Sequence, residues 1–337
     1  EQLVVRALGG DNVLLQAWER FAVYDWNAML QKQRFDDLQI TILTVGFVAT
    51  ALAVAKQYFT NGVDGGPGSF WWNVRYLLIV LPIVLTVLIA VGNKFKQGNK
   101  WLLLRAGAEA LKREIYRYRT RAGDYKETYT RPAPPELPPP TPEQVLAQRV
   151  EEITRRAMRT EVNSSSLKPY PKEKDFPPYV KYSGDDGFTV LSPDRYVDVR
   201  LKDQLNYYKK RAVEHEQKLK WIQWSIYLIG GLGTLMAALN RQVWIAVTTA
   251  LAGAFTTYLS YQQTENTVTK YNQAFTDLEN VRSWWTALPG EDQAKQENVD
   301  TLVKHTEDVL QSETDGWVQQ MQNALAELRK DQAKAPE

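Results

Sequence analysis

Few residues in this sequence could carry out covalent chemistry. There is no cysteine, and the only imidazoles are His215 and His305. The missing cysteines exclude disulfides, thiolate chemistry and cysteine-type metal sites. Both histidines lie far apart in polar, helix-forming stretches, where a surface position is expected. No Ser–His–Asp set, metal cluster or pair of carboxylates in an apolar setting is visible, so the sequence supports neither enzymatic activity nor a cofactor. What remains is a set of hydroxyl and small residues inside apolar runs. Thr249, Gly253, Thr256 and Ser260 fall on one stripe of a helix, with Thr248 and Thr257 beside it, and Thr86 is a similar position elsewhere. Such residues serve either close helix–helix packing or a hydroxyl-lined pore wall in an oligomer. Asp36 and Asp37 precede the first apolar run. They could complement a helix dipole there, or form a cation-attracting ring at a cytoplasmic mouth.

Those positions need helices that sit in lipid. Residues 221–261 hold two apolar runs of roughly 17–20 residues, the length a helix needs to cross a bilayer core. Arg241 at the turn is the only formal charge between Lys220 and Glu265. No polar face interrupts the stretch, as one would in a soluble core helix. Residues 38–55 and 77–91 give two more runs, the latter with Pro82 inside it, a residue that membrane helices tolerate. The expected fold is therefore an all-α membrane protein with two tandem transmembrane hairpins, four membrane helices in all, and long cytoplasmic helices. The negative mean hydropathy of the chain requires that polar part.

Between and around these runs, helical spacing recurs in residues 3–34, 99–125, 143–162, 198–220, 264–286 and 291–330, with an interruption expected near Thr314–Gly316. Residues 131–142 (RPAPPELPPPTP) cannot be helical and predict an extended, solvated segment, and residues 163–194 predict a flexible connector. The resulting domains are 1–125, a first membrane hairpin with its trailing helix; 126–197, a proline-rich cytoplasmic insert with one helix; and 198–337, a second hairpin with C-terminal cytoplasmic helices.

The two hairpin regions look duplicated. A shift of about 184 residues brings Tyr24 onto Tyr208 and Leu38 onto Ile222, and one of about 166 brings Leu81 onto Val247 and Tyr118 onto Trp284. Lys and Arg cluster after the second run and before the third, while the hairpin loops carry only Lys56, Arg75 and Arg241. The positive-inside rule then places both loops outside and both termini in the cytoplasm, in a multi-pass cell membrane. Trp71, Trp72 and Trp244 would anchor the outer interface, and Trp101, Trp221 and Trp224 the inner one. The basic stretch 94–121 is expected to meet anionic headgroups. With a net charge of only +2, nothing suggests a nucleic-acid partner. The loop NGVDGGPG lacks the lysine and the spacing of a phosphate loop.

Four segments carry a family resemblance: RLKDQLNYYKKRA (200–212), KWLLLRAGAEALKREIYRY (100–118), YQQTENTVTKYNQAFTDLENVRSWW (261–285) and TLVKHTEDVLQSETDGW (301–317). Together they resemble a tandem pair of SLATT-type domains, two-transmembrane modules named for their association with SLOG nucleotide sensors. The first half departs further, since FAVYDWNAML lacks the basic residues of the second lead-in. The resemblance implies a bacterial membrane effector that forms an oligomeric pore when a cytoplasmic sensor binds a nucleotide-derived ligand, in an order similar to that of TRPM-type channels. The chain begins at Glu1, and an upstream sensor is expected to precede it. The alternative is a non-conducting membrane anchor or scaffold for such a sensor. In either case the lipid bilayer is a partner, and a homo-oligomer is expected for the pore.

Overall fold

The computed structural model describes residues 12–61, 66, 68–95, 97–126, 140–164, 166–180 and 184–334. The proline-rich run and much of the first hairpin loop lie outside the described residues. Eight long helices carry the architecture: α1 (Asn12–Thr60), α2 (Phe70–Phe95), α3 (Gln97–Arg119), α4 (Pro142–Met158), α5 (Lys202–Ala238), α6 (Val243–Gln262), α7 (Thr264–Ala287) and α8 (Gln296–Lys334). No strand occurs among the described residues.

Several boundaries follow from local chemistry. α4 starts at a capping box: Thr141 Oγ1 accepts from the Gln144 amide at 3.3 Å, Gln144 Oε1 accepts from the Thr141 amide at 3.0 Å, and Pro142 occupies the first turn. α5 ends in a Schellman motif. Asn240 takes the left-handed conformation (φ 58°), and the amides of Asn240 and Arg241 donate to the carbonyls of Ala237 and Met236 at 3.0 and 2.9 Å. α6 stops at Gln263, also left-handed (φ 49°), and α7 begins at the next residue.

α1 corrects one expectation. It runs 49 residues without a break, about 70 Å at the α-helical rise and more than twice a bilayer core. No proline or glycine stands between the lead-in and the apolar run, so the two are one helix. Asp36 and Asp37 therefore lie mid-helix, where there are no free amides for a carboxylate to complement. α8 likewise continues through Thr314–Gly316, where a break was expected.

The chain divides into two compact units. One comprises residues 1–30, 99–212 and 269–319; the other, 31–98, 213–268 and 320–337. Both halves of the sequence contribute to each unit.

The first unit is a helical bundle around a buried apolar core. Leu14, Trp18, Phe21 and Tyr24 of α1 pack with Leu104, Leu111 and Ile115 of α3, Leu278 of α7, and Leu302 and Val303 of α8 in one buried cluster. Each such side chain contributes about 1.5–3 kcal/mol through its burial. The connector 163–194 is better fixed than its composition suggests. In its described part, Trp18 Nε1 donates to the Gly187 carbonyl at 2.8 Å, and Asn27 pairs with the Lys168 backbone at 2.8 and 2.9 Å. Buried Arg119 makes two 2.6 Å bonds to Asp185.

In the second unit α1 and α2 run antiparallel. Phe59 stacks on Trp71 at one end, while a methyl group placed on Gly92 would lie 3.1 Å from Leu38 at the other. α1 also pairs antiparallel with α6: Tyr58 meets Trp244 edge-on at 5.6 Å, and Asp36 meets Gln262 at 3.0 Å. α5 and α6 form the second hairpin, tightly packed at Gly233, where an added Cβ would sit 2.8 Å from Thr248 Oγ1.

Candidate functional site

The second unit exposes its apolar surface. Three stretches among the described residues are helical, long and apolar enough to cross a membrane: those in α1, in α2 and from Val243 onward, with 11%, 6% and 0% of their apolar windows buried. A soluble fold would cover such faces; here Leu77, Ile79, Val80, Ile83 and Val87 of α2 all stand exposed. These helices and their uncovered faces make this a membrane protein. The third run, in α5, falls short of the other three. Trp221, Trp224, Tyr227, Gln223 and three glycines dilute its hydropathy, although Leu228, Leu232, Leu235 and Leu239 are exposed on it.

The candidate lining positions divide into two sets. Thr249, Gly253, Thr256 and Ser260 are all exposed and recur at four-, three- and four-residue steps, so one face of α6 is uncovered within a single chain. A Cβ at Gly253 would meet open space. Thr257 is half-buried beside that face. Thr248 belongs to hairpin packing, since Gly233 is set against it and its hydroxyl donates to the Ile245 carbonyl at 2.9 Å. Thr86 is exposed on α2, well separated in sequence, and donates to the Pro82 carbonyl at 3.0 Å. Thr256 likewise donates to its own helix, at the Ala252 carbonyl (3.0 Å). These hydroxyls are satisfied internally, so the face can meet lipid, a neighbouring helix or water without an orphaned donor.

The polar ends of the unit differ. At one, Asp36 is half-buried, accepts from Gln262 Nε2 at 3.0 Å and lies 3.9 Å from Lys32. Burial pushes its carboxyl above the usual range, partly offset by Lys32 and that hydrogen bond. Asp37 is exposed. Phe35 and Tyr261 meet edge-on at 5.9 Å beside this contact, and Lys218 sits 4.8 Å from the Tyr258 ring centre. Trp221 packs against Phe255 at this end while remaining 66% exposed, and Trp224 is 73% exposed. At the other end Trp71 and Trp244 gather on Phe59 and Tyr58, and Trp72 lies 4.1 Å from the Arg75 guanidinium.

Trp101 departs from the expected set of interfacial anchors. It is 4% exposed in the first unit and packs edge-on against Trp317 at 4.8 Å, as a core residue unable to reach headgroups. Much of the basic stretch 94–121 is also committed internally. Arg105 pairs with Asp25 and Glu109, Arg113 and Arg117 with Glu114, and Arg119 with Asp185.

Sequence reasoning missed a buried polar centre in the first unit. A π-helical turn (Val197–Leu201) turns Arg200 inward, where it pairs with Glu307. The Tyr196 hydroxyl donates to the same carboxylate at 2.9 Å, and the Tyr116 ring lies 4.6 Å from the guanidinium. This centre borders a groove of about 330 Å³ between α3, α4 and α8, flanked by Glu109, Arg113 and Arg149. The sequence signal was present but uninterpreted, since Arg200 and Glu307 each lie in a segment that carries the resemblance.

The family model described as SMODS and SLOG-associating 2TM effector domain 1 matches residues 196–317. The match begins at Tyr196, spans α5, α6 and α7, and includes both Arg200 and Glu307. A second model, for a family of unknown function designated DUF4231, matches residues 19–133, which hold most of α1, all of α2 and α3. The two halves thus match different models. No curated protein and no solved structure matches the chain. The chain is therefore a membrane protein whose second half matches a model for SLATT-type 2TM effector domains.

Proposed function

We propose that this protein is a homo-oligomeric membrane effector that opens a path for ions, rather than an enzyme. The observation that carries this reading is the uncovered Thr249–Gly253–Thr256–Ser260 face of α6. Four membrane helices without interior charges cannot enclose a wide pore alone, so a hydroxyl face left open on one chain suits assembly around an axis. In this reading α5 also spans, giving four crossings, as the 2TM description of the matching family supports. Lys and Arg placement puts both termini in the cytoplasm. The soluble bundle would transmit a signal from an upstream nucleotide-sensing domain, and Asp36 and Asp37 would stand at the cytoplasmic mouth. Duplication of the hairpin fits the like order of elements in α1–α3 and α5–α7.

A second reading, a non-conducting anchor for a cytoplasmic sensor, is favoured by the internal satisfaction of the Thr256 and Thr86 hydroxyls. Reconstitution in liposomes separates the two. The pore reading predicts ion flux that falls severalfold in Thr256→Leu. A bilayer that stays sealed when the cytoplasmic signal is supplied, with a monomer in native mass spectra, supports the anchor.

A further inference from the structure

We propose that the loop end of the second unit holds an anionic phospholipid, with Arg241 as the residue that recognises its phosphodiester. Arg241, Tyr58, Trp244, Met236 and Leu239 line an open concavity of about 500 Å³ between α1 and the α5–α6 turn. The Schellman turn at Asn240 places Arg241 directly after the apolar run of α5, at the level where a bilayer passes from acyl chains to headgroups. Arg241 has no carboxylate partner among the described residues. Its Nη1 donates to the Tyr58 hydroxyl oxygen, and its guanidinium carbon lies 5.5 Å from the Tyr58 ring centre. Tyr58 is thereby an acceptor toward Arg241, which leaves its own O–H free to donate. A guanidinium with unused N–H groups beside a phenol O–H is a donor set for phosphate oxygens. Trp244, edge-on to Tyr58 at 5.6 Å, and Leu239, 58% exposed, supply apolar and interfacial surface for the glycerol and upper acyl carbons. Free phosphate would use the cation but gain nothing from Met236, Leu239 and Trp244, so the complementarity is to a lipid.

The test is native mass spectrometry of the full chain released from detergent with equal amounts of phosphatidylglycerol and phosphatidylcholine. The expected result is preferential retention of phosphatidylglycerol, reduced about tenfold in Arg241→Gln, the loss of about one charged hydrogen-bonding partner, and unchanged in Arg75→Gln. Tyr58→Phe keeps the ring, serves if the arginine variant does not fold, and should lose retention about threefold. Equal retention of the two lipids, or wild-type retention in both Arg241→Gln and Tyr58→Phe, overturns the proposal. So does displacement of the lipid by millimolar inorganic phosphate, which would assign the site to the free anion.

Discussion

Arg200 and Glu307 lie 107 residues apart in the chain and meet as a two-pronged pair, with Arg200 Nε 3.0 Å from Glu307 Oε1 and Nη2 2.8 Å from Oε2. Their side chains are 2% and 1% exposed, and Tyr196 fills a further acceptor site on the carboxylate. Breaking such a pair from one side leaves an uncompensated charge in the core. Glu307→Gln is expected to destabilise the first unit by about 3–5 kcal/mol, whereas the double change to Arg200→Leu and Glu307→Leu should recover much of that loss. Denaturation of the detergent-solubilised protein, followed by near-ultraviolet circular dichroism, measures both.

That pair also marks how far sequence reading reaches. The apolar runs were legible because lipid leaves them uniform, whereas the capping box of α4, though written in the four residues Thr141–Gln144, was hidden by the proline run that leads into it. Arg200 was legible only as one basic residue among several, because its burial depends on a π turn and a partner on α8. Trp101 resembled an anchor because tryptophan beside a membrane run usually is one. Its burial depends on Trp317, more than two hundred positions away. Asp36 and Asp37 suggested a helix start because charge often marks one, but nothing nearby stops α1. The α6 stripe was legible from its spacing, while the assignment of Thr248 to packing required the position of Gly233.

The two tryptophan classes respond differently to truncation. Trp101→Ala should cost about 3–5 kcal/mol of bundle stability, as for a filled core site. Trp224→Ala should leave the bundle's unfolding midpoint within experimental scatter and instead shift the depth of α5 in the bilayer. Circular dichroism melts, and the rate at which a water-soluble thiol reagent labels a cysteine placed at Gln223 in proteoliposomes, distinguish these outcomes.

Glu313 gives the first unit a pH dependence. Burial raises its carboxyl, and Glu109 nearby raises it further, to about 7, against smaller opposing effects of the Tyr208 hydroxyl, Arg105 and Thr314. The folded state therefore holds a proton that the unfolded chain has already released. Stability from this group is full below the unfolded carboxylate range and is lost as pH rises through about 7. Glu313→Gln should flatten the unfolding midpoint between pH 5 and pH 7.5, where the wild type declines.

Two glycines test the hairpin against the open face. Leucine at Gly233 would drive into Thr248, and Gly233→Leu should destabilise the second unit by about 1–3 kcal/mol. A Cβ at Gly253 meets open space in the single chain. Gly253→Leu should fold normally and shift the native mass spectrum toward smaller assemblies.

The central claim, that the α6 hydroxyl face meets water inside an assembled membrane protein, can be tested by substituted-cysteine labelling, since the chain has no cysteine of its own. In proteoliposomes, Thr249→Cys and Thr256→Cys should react with a membrane-impermeant thiol reagent, while Ile83→Cys and Val87→Cys on α2 should stay protected. Protection of all four positions under conditions that label a cysteine placed at Gln242 would contradict it.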